Sequence, residues 1–187
     1  YQPIWTPDSR QVLFWSEREG SFGAIFRKNA DGTGAIEKLV ADPNRQLYPW
    51  DLSHDGKNMV VMETPDPYTQ ADLSMMSMEG NYERKLLLQQ EEYVETQAKL
   101  SPDGKWMAYV SNESGQSEIY VRSFPDMERG RWQLSISGGV SPLWAPNGRE
   151  LFYFSEDDAS VMAVAVETDT VFRAGTPKKL FSRSPYS

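Results

Sequence analysis

Four uninterrupted apolar runs stand out along the chain: Val12-Leu13-Phe14-Trp15, Met59-Val60-Val61-Met62, Met107-Ala108-Tyr109-Val110 and Leu151-Phe152-Tyr153-Phe154. Strict alternation would mark a strand with one wet face. A continuous run marks a strand covered on both faces. Each run is preceded by a polar tetrapeptide and one basic residue. The tetrapeptides are Thr6-Pro7-Asp8-Ser9, Ser53-His54-Asp55-Gly56, Ser101-Pro102-Asp103-Gly104 and Ala145-Pro146-Asn147-Gly148, and the basic residues are Arg10, Lys57, Lys105 and Arg149. Proline presets φ, Asp or Asn bonds its own backbone two residues on, and glycine accepts positive φ, so each tetrapeptide predicts a tight turn.

The acidic or amide position of the turn falls at 8, 55, 103 and 147, spacings of 47, 48 and 44 residues. Two more apolar segments recur within each unit. One is centred on Ala24-Ile25-Phe26, Leu73-Ser74-Met75, Ile119-Tyr120-Val121 and Val161-Met162-Ala163. The other carries Leu39, Leu86, Leu134 and Leu180. A shorter segment before each turn puts Trp5, Leu52, Leu100 and Trp144 in register. Four strands in a unit of this length make a propeller blade. The expected fold is all-β: four four-stranded antiparallel blades in a single array over 1–187, with blades at about 1–43, 44–91, 92–136 and 137–187. The blades either close on themselves or form part of a larger propeller, and the larger ring is the expectation. An open end would expose apolar blade faces and drive self-association.

Ser101-Pro102-Asp103-Gly104-Lys105-Trp106-Met107-Ala108-Tyr109-Val110, with its counterparts in the other units, resembles the WD40-like PD40 repeat of TolB-type β-propellers. With Glu118-Ile119-Tyr120-Val121-Arg122, Phe124-Pro125, Gly138-Gly139 and Trp144, the chain is most similar to the propeller attached to bacterial membrane serine/threonine kinases. The resemblance implies a non-catalytic protein-binding or sensor module on the periplasmic or extracytoplasmic side of a bacterium. The alternative it leaves open is the propeller portion of a larger enzyme, either the gating domain of an oligopeptidase or an oligogalacturonate-lyase-like protein. The second unit departs most from the pattern, with His54 in the proline slot and Pro65 and Pro67 in its central loop.

Composition narrows the partners. A net charge of −8 argues against nucleic acid and anionic membrane, both of which reward basic surfaces. Arg27-Lys28 and Lys178-Lys179 read as charges on outer strands. No stretch approaches the roughly 20 apolar residues of a membrane helix. No targeting signal is visible, and the chain opens on Tyr1 inside what reads as a blade, as an excised or processed piece would.

Catalytic chemistry has few residues to use. One histidine, His54, and no cysteine leave no ligand set for zinc. No G-x-S-x-G elbow, phosphate loop or kinase catalytic loop occurs. Glu156-Asp157-Asp158 and Asn29-Ala30-Asp31-Gly32 lack the ligand alternation of a calcium loop. The expectation is therefore no catalytic residue, no metal and no cofactor, with a protein or peptide as partner. Trp5, Phe14, Trp15, Tyr109, Trp144, Phe152 and Tyr153 stand in strand register and read as core between blades. Loops entering the inner strands, together with the central loop of the second unit, vary from blade to blade. Arg45, Gln46, Tyr48, Tyr68, Tyr93, Glu95, Gln97 and Ser141 are accordingly the candidate binding residues.

Overall fold

The computed structural model describes residues 3–19, 22–65, 71–89, 92–169 and 171–182, all in strands, turns and loops. The strands form four sheets, one per sequence repeat. The first holds β1 (Ile4–Trp5), β2 (Gln11–Ser16), β3 (Ala24–Asn29) and β4 (Glu37–Val40). The second holds β5 (Gln46–Leu52), β6 (Asn58–Thr64), β7 (Asp72–Ser77) and β8 (Arg84–Leu88). The third holds β9 (Glu95–Leu100), β10 (Trp106–Ser111), β11 (Glu118–Ser123) and β12 (Arg131–Gln133). The fourth holds β13 (Val140–Trp144), β14 (Glu150–Ser155), β15 (Ser160–Glu167), β16 (Arg173–Ala174) and β17 (Lys178–Ser182). In each sheet the strands follow chain order, so every sheet is an up-and-down meander. The fourth departs from four strands: β16 and β17 both pair with β15, sharing the outer position. Among the described residues no helix is long and apolar enough to cross a membrane.

The chain divides into two compact units, 1–95 and 96–187, each containing two sheets. The predicted turns link first to second strands, and their bonds repeat. The hydroxyls of Thr6, Ser53 and Ser101 donate to Asp8, Asp55 and Asp103 at 2.6, 2.6 and 2.5 Å. The same carboxylates accept the amides of Arg10, Lys57 and Lys105 at 3.0–3.1 Å. In the fourth turn Asn147 accepts the amide of Arg149 at 3.0 Å. Successive turns lie side by side within each unit. A Cβ on Gly56 would sit 3.6 Å from Pro7, and one on Gly148 would sit 4.0 Å from Pro102.

Each unit has a core between its two sheets. In the first, Ile4, Leu13 and Ile25 pack against Leu47, Met59, Val61 and Met76. In the second, Trp106, Ala108, Val110, Ile119, Val121 and Leu134 pack against Trp144, Leu151, Tyr153, Val164, Val166 and Phe172. All six residues of β10 are buried, as a continuous apolar run requires. The register columns are less uniform than their sequence suggests. Trp5 is 56% exposed and Leu86 and Leu180 are exposed, whereas Trp144 and Tyr109 are buried; Phe14, Trp15 and Phe152 are half-buried. Trp5 lies on the face of β1 opposite Ile4, and that face of the first sheet has no second sheet in its core cluster.

Candidate functional site

The candidate residues separate by burial. In the first unit β5 begins earlier than the loop reading expects, at Gln46, so Gln46 and Tyr48 are strand residues and both are buried. Leu47 between them packs in the core between the sheets. The Tyr48 ring lies 4.8 Å from that of Trp15 in the first sheet, and its hydroxyl donates to Gln46 Oε1. Arg45, just outside the strand, donates from Nη1 to Asp72 Oδ2 at 3.2 Å. Tyr93 is half-buried, and Glu95 is buried at the start of β9, its amide donating to the Ala71 carbonyl at 3.2 Å. Tyr68 lies outside the described residues.

In the second unit the structure brings two of the candidates together. The Ser141 amide donates to Gln97 Oε1 at 2.6 Å, tying the first strands of the third and fourth sheets. Both residues hold left-handed backbone, with φ of 54° at Gln97 and 56° at Ser141. They occupy the same repeat position, six residues before Asp103 and Asn147. For a residue with a Cβ this conformation costs about 1–2 kcal/mol. At Ser141 it coincides with a register shift between Val140 and Leu143, so β13 is bulged where it meets β14. Ser141 is exposed and Gln97 is half-buried.

Two residues that sequence reasoning missed organise these regions. Asp72 and Glu118 open the third strands of their sheets, and both are buried. Asp72 accepts from Arg45, which leads into β5, and from Gln89 Nε2 at 3.4 Å, which leaves β8. Glu118 accepts from Gly138 N at 3.1 Å, from Gln116 Nε2 at 2.6 Å and from the Ser135 hydroxyl. Ser135 Oγ in turn accepts the Ile119 amide at 2.8 Å. Each carboxylate thus fastens the connection between consecutive sheets. The signal lay in the register: Ser16, Ser111 and Ser155, which end their second strands, and Glu63, next to last in β6, pair with Ala24, Glu118, Ser160 and Asp72 respectively. Gly139 completes the clasp, because a Cβ there would stand 2.4 Å from Ser135 Oγ. Burial raises the Tyr153 phenol, and the charges of Glu118 and Asp158 push the same way.

Several other acidic and basic groups among the described residues are paired locally. Asp31 closes its own turn by accepting the Thr33 amide and hydroxyl at 2.8 and 2.7 Å. Asp158 pairs with Lys179 at 3.0 Å and Arg27 with Glu37 at 2.7 Å. Arg84 bridges Asp42 and Glu63. His54 is exposed in a turn bonded like the other three. Among the described residues no group of three or more His, Asp or Glu is placed to hold a metal ion. At the turn end of the second unit, a cleft of about 570 Å³ is walled by Trp106, Phe124, Pro125, Trp132 and Val171, with Lys105 on its rim.

No protein-family model matches the chain, and no curated protein matches it in sequence. Solved structures do match it. A putative TolB from Agrobacterium tumefaciens aligns with a TM-score of 0.75 and 21% identity, over 95% of this chain and 63% of that one. TolB from Acinetobacter baumannii aligns with a TM-score of 0.70 and 21% identity, over 96% of this chain and 44% of that one. Prolyl oligopeptidase B from Galerina marginata aligns with a TM-score of 0.65 and 11% identity, over 95% of this chain and 26% of that one. At these identities the likeness is one of fold: the four sheets are β-propeller blades of the kind found in TolB-type proteins. The chain spans less than two thirds of each of these matched proteins.

Proposed function

We propose that this chain is the blade region of a non-catalytic propeller module that binds an extended protein segment, in an extracytoplasmic bacterial setting. The observation carrying this reading is the Gln97–Ser141 pair. Two non-glycine residues at equivalent positions hold left-handed backbone in first strands, and one side chain bridges to the other's amide. Backbone strain of this kind concentrates at binding sites, where surrounding structure holds it in place. The bulge at Ser141 breaks the ladder register of β13 and leaves that stretch for a ligand's backbone to address. Arg45, Gln46, Tyr48, Tyr68, Tyr93 and Glu95 are further candidates for the same role in their own loops and strands. The TolB likeness supports a protein partner and an extracytoplasmic location.

The likeness to an oligopeptidase favours a second reading, in which these blades accompany a catalytic domain and gate access to it. Both readings leave the chain itself without a catalytic residue.

The test is selection of peptides from a random displayed library on the immobilised chain, followed by calorimetry of the enriched peptides. Ser141→Arg places bulk at the bulge without removing a buried group. It should weaken binding by at least about tenfold, the scale of a lost interface anchor. Peptides that bind the wild type and a folded Ser141→Arg variant equally would refute the site and direct attention to the Trp106–Trp132 cleft.

A further inference from the structure

Each sheet brings the basic residue after its first turn against the exit of its third strand. The amides of Ala30, Met78, Phe124 and Val166 donate there to the carbonyls of Arg10, Lys57, Lys105 and Arg149 at 2.7–2.9 Å. The residue that follows is acidic in three of the four sheets: Asp31, Glu79 and Glu167. Lys57 pairs with Glu79 at 3.8 Å, Arg10 and Asp31 line one crease, and Arg149 and Glu167 line another. In the third sheet the acid is replaced by Pro125. Lys105 is exposed and makes no ion pair among the described residues.

The third sheet leaves the repeat at two more positions around the same crease. Where it has Trp106, the other sheets have Gln11, Asn58 and Glu150. Where it has Trp132, the others have Glu37, Lys85 and Lys178. The blade thus forms with polar side chains at both places, and the aromatic pair is an addition to it. The two indoles meet edge-on at 5.5 Å, and Phe172 of the fourth sheet lies 5.4 and 5.2 Å from them. Both rings are fixed in advance. Trp106 Nε1 donates to the Thr168 carbonyl at 3.0 Å, and Trp132 lies so close to Gly130 that a Cβ there would stand 2.4 Å from its Cη2. Trp132 and Phe124 are only half-buried, and with Pro125 they wall the cleft of about 570 Å³. That is an ordinary size for a small-ligand site, and a wall held in place loses little freedom on binding.

We propose that this cleft binds one small aromatic carboxylate, its ring against Trp132 and Phe124 and its carboxylate at the Lys105 ammonium. The ring covers the apolar wall through offset or edge-on aromatic contacts. The carboxylate takes the place of the acid that the other three sheets carry opposite their basic residue. Of the remaining charges at the mouth, Arg129 is matched by Asp126 at 2.8 Å, and Asp169 is exposed to water. The cleft lies between the third and fourth sheets, within the second unit. Ser141 stands toward the end of β13 away from the turn, so this site is separate from the proposed peptide site.

Calorimetric titration of the chain with indole-3-acetate, indole-3-acetamide and tryptamine tests the assignment. The three probes share a ring and differ in charge. The acid should bind once per chain and about fivefold tighter than the amide, the upper end for an ion pair at an exposed mouth. Tryptamine should bind no better than the amide. Lys105→Gln changes an exposed side chain, so it should fold as the wild type does and bind acid and amide equally. Trp132→Leu should weaken the acid and the amide alike. Absence of binding by the acid overturns the proposal, as does equal binding of acid and amide by the wild type. A preference for the acid that survives Lys105→Gln, or tighter binding of tryptamine, also overturns it. Ser141→Arg should bind the acid as the wild type does, and Lys105→Gln should keep the peptides selected at Ser141, so either site can fail without the other.

Discussion

Gly138 donates its amide to Glu118 Oε1 at 3.1 Å, so a buried carboxylate of the third sheet holds the chain as it leaves for the fourth. Removing the carboxylate would strand this amide and the Ser135 hydroxyl in the interior. Glu118→Ala should cost about 3 kcal/mol, as for a buried charged acceptor with several donors. Urea unfolding of the variant measures the loss. Glu118→Gln retains the shape and one acceptor and should cost less.

The same connection constrains Gly139 by space alone, since a Cβ would meet Ser135 Oγ at 2.4 Å and Ile119 Cγ1 at 2.9 Å. Gly139→Ala should lose about 1–3 kcal/mol through overpacking. The loss should shrink when Ser135→Gly is added, which a double-mutant cycle reads directly.

Trp144 and Trp5 share a repeat position and differ in cover. Trp144→Ala should destabilise the second unit by about 3–5 kcal/mol, the range for deleting a buried large aromatic. Trp5→Ala in dilute solution should change stability by under about 1 kcal/mol, as at other exposed positions. Denaturation curves of the two variants should separate clearly.

Ser141 makes the opposite prediction. Its left-handed backbone suits glycine, and its amide bond to Gln97 does not need the side chain. Ser141→Gly should therefore stabilise the fold by about 1 kcal/mol. A rise in melting temperature checks the strain independently of any ligand.

The turn carboxylates predict the acid response. The Ser53 hydroxyl, followed by the Lys57 amide, holds Asp55 below the ordinary carboxylate value, and Thr6 with Arg10 does the same for Asp8. A depressed folded-state value gives stability that is complete above the unfolded value, near pH 4, and is lost as pH falls through the folded one. Stability measured from pH 6 downward should hold to about pH 4 and then decline. Asp8→Asn with Asp55→Asn should make that decline shallower.

The fold was legible in the sequence because its turns are local. Thr6 to Asp8, or Ser101 to Asp103, is a two-residue relationship that any copy of the motif displays. The meander followed from apolar runs between such turns. The candidate site was legible in part. Gln97 and Ser141 stood out as polar residues leading into first strands, and the structure joins them. Gln46 and Tyr48 had the same appearance, and all four prove to be strand residues, but Gln46 and Tyr48 are buried beside the core residue Leu47. Asp72 and Glu118 were missed since their partners, Arg45 and Gly138, are set by pairing across the sheet and not by sequence spacing. Trp5 read as core by analogy with Trp144, but cover depends on a neighbouring sheet, which a residue's own repeat does not contain.

The meander has a mechanical consequence. Because each strand bonds mainly to the strand before it and the one after it, tension applied at the two termini would pull on hairpins from their open ends. The ladder bonds would then load one pair at a time instead of sharing the force in shear. A sheet released in this way leaves its neighbour's internal ladder unchanged. The chain should extend in discrete sheet-sized steps, and the buried carboxylate clasps at Asp72 and Glu118 should set how far each step runs before the next begins.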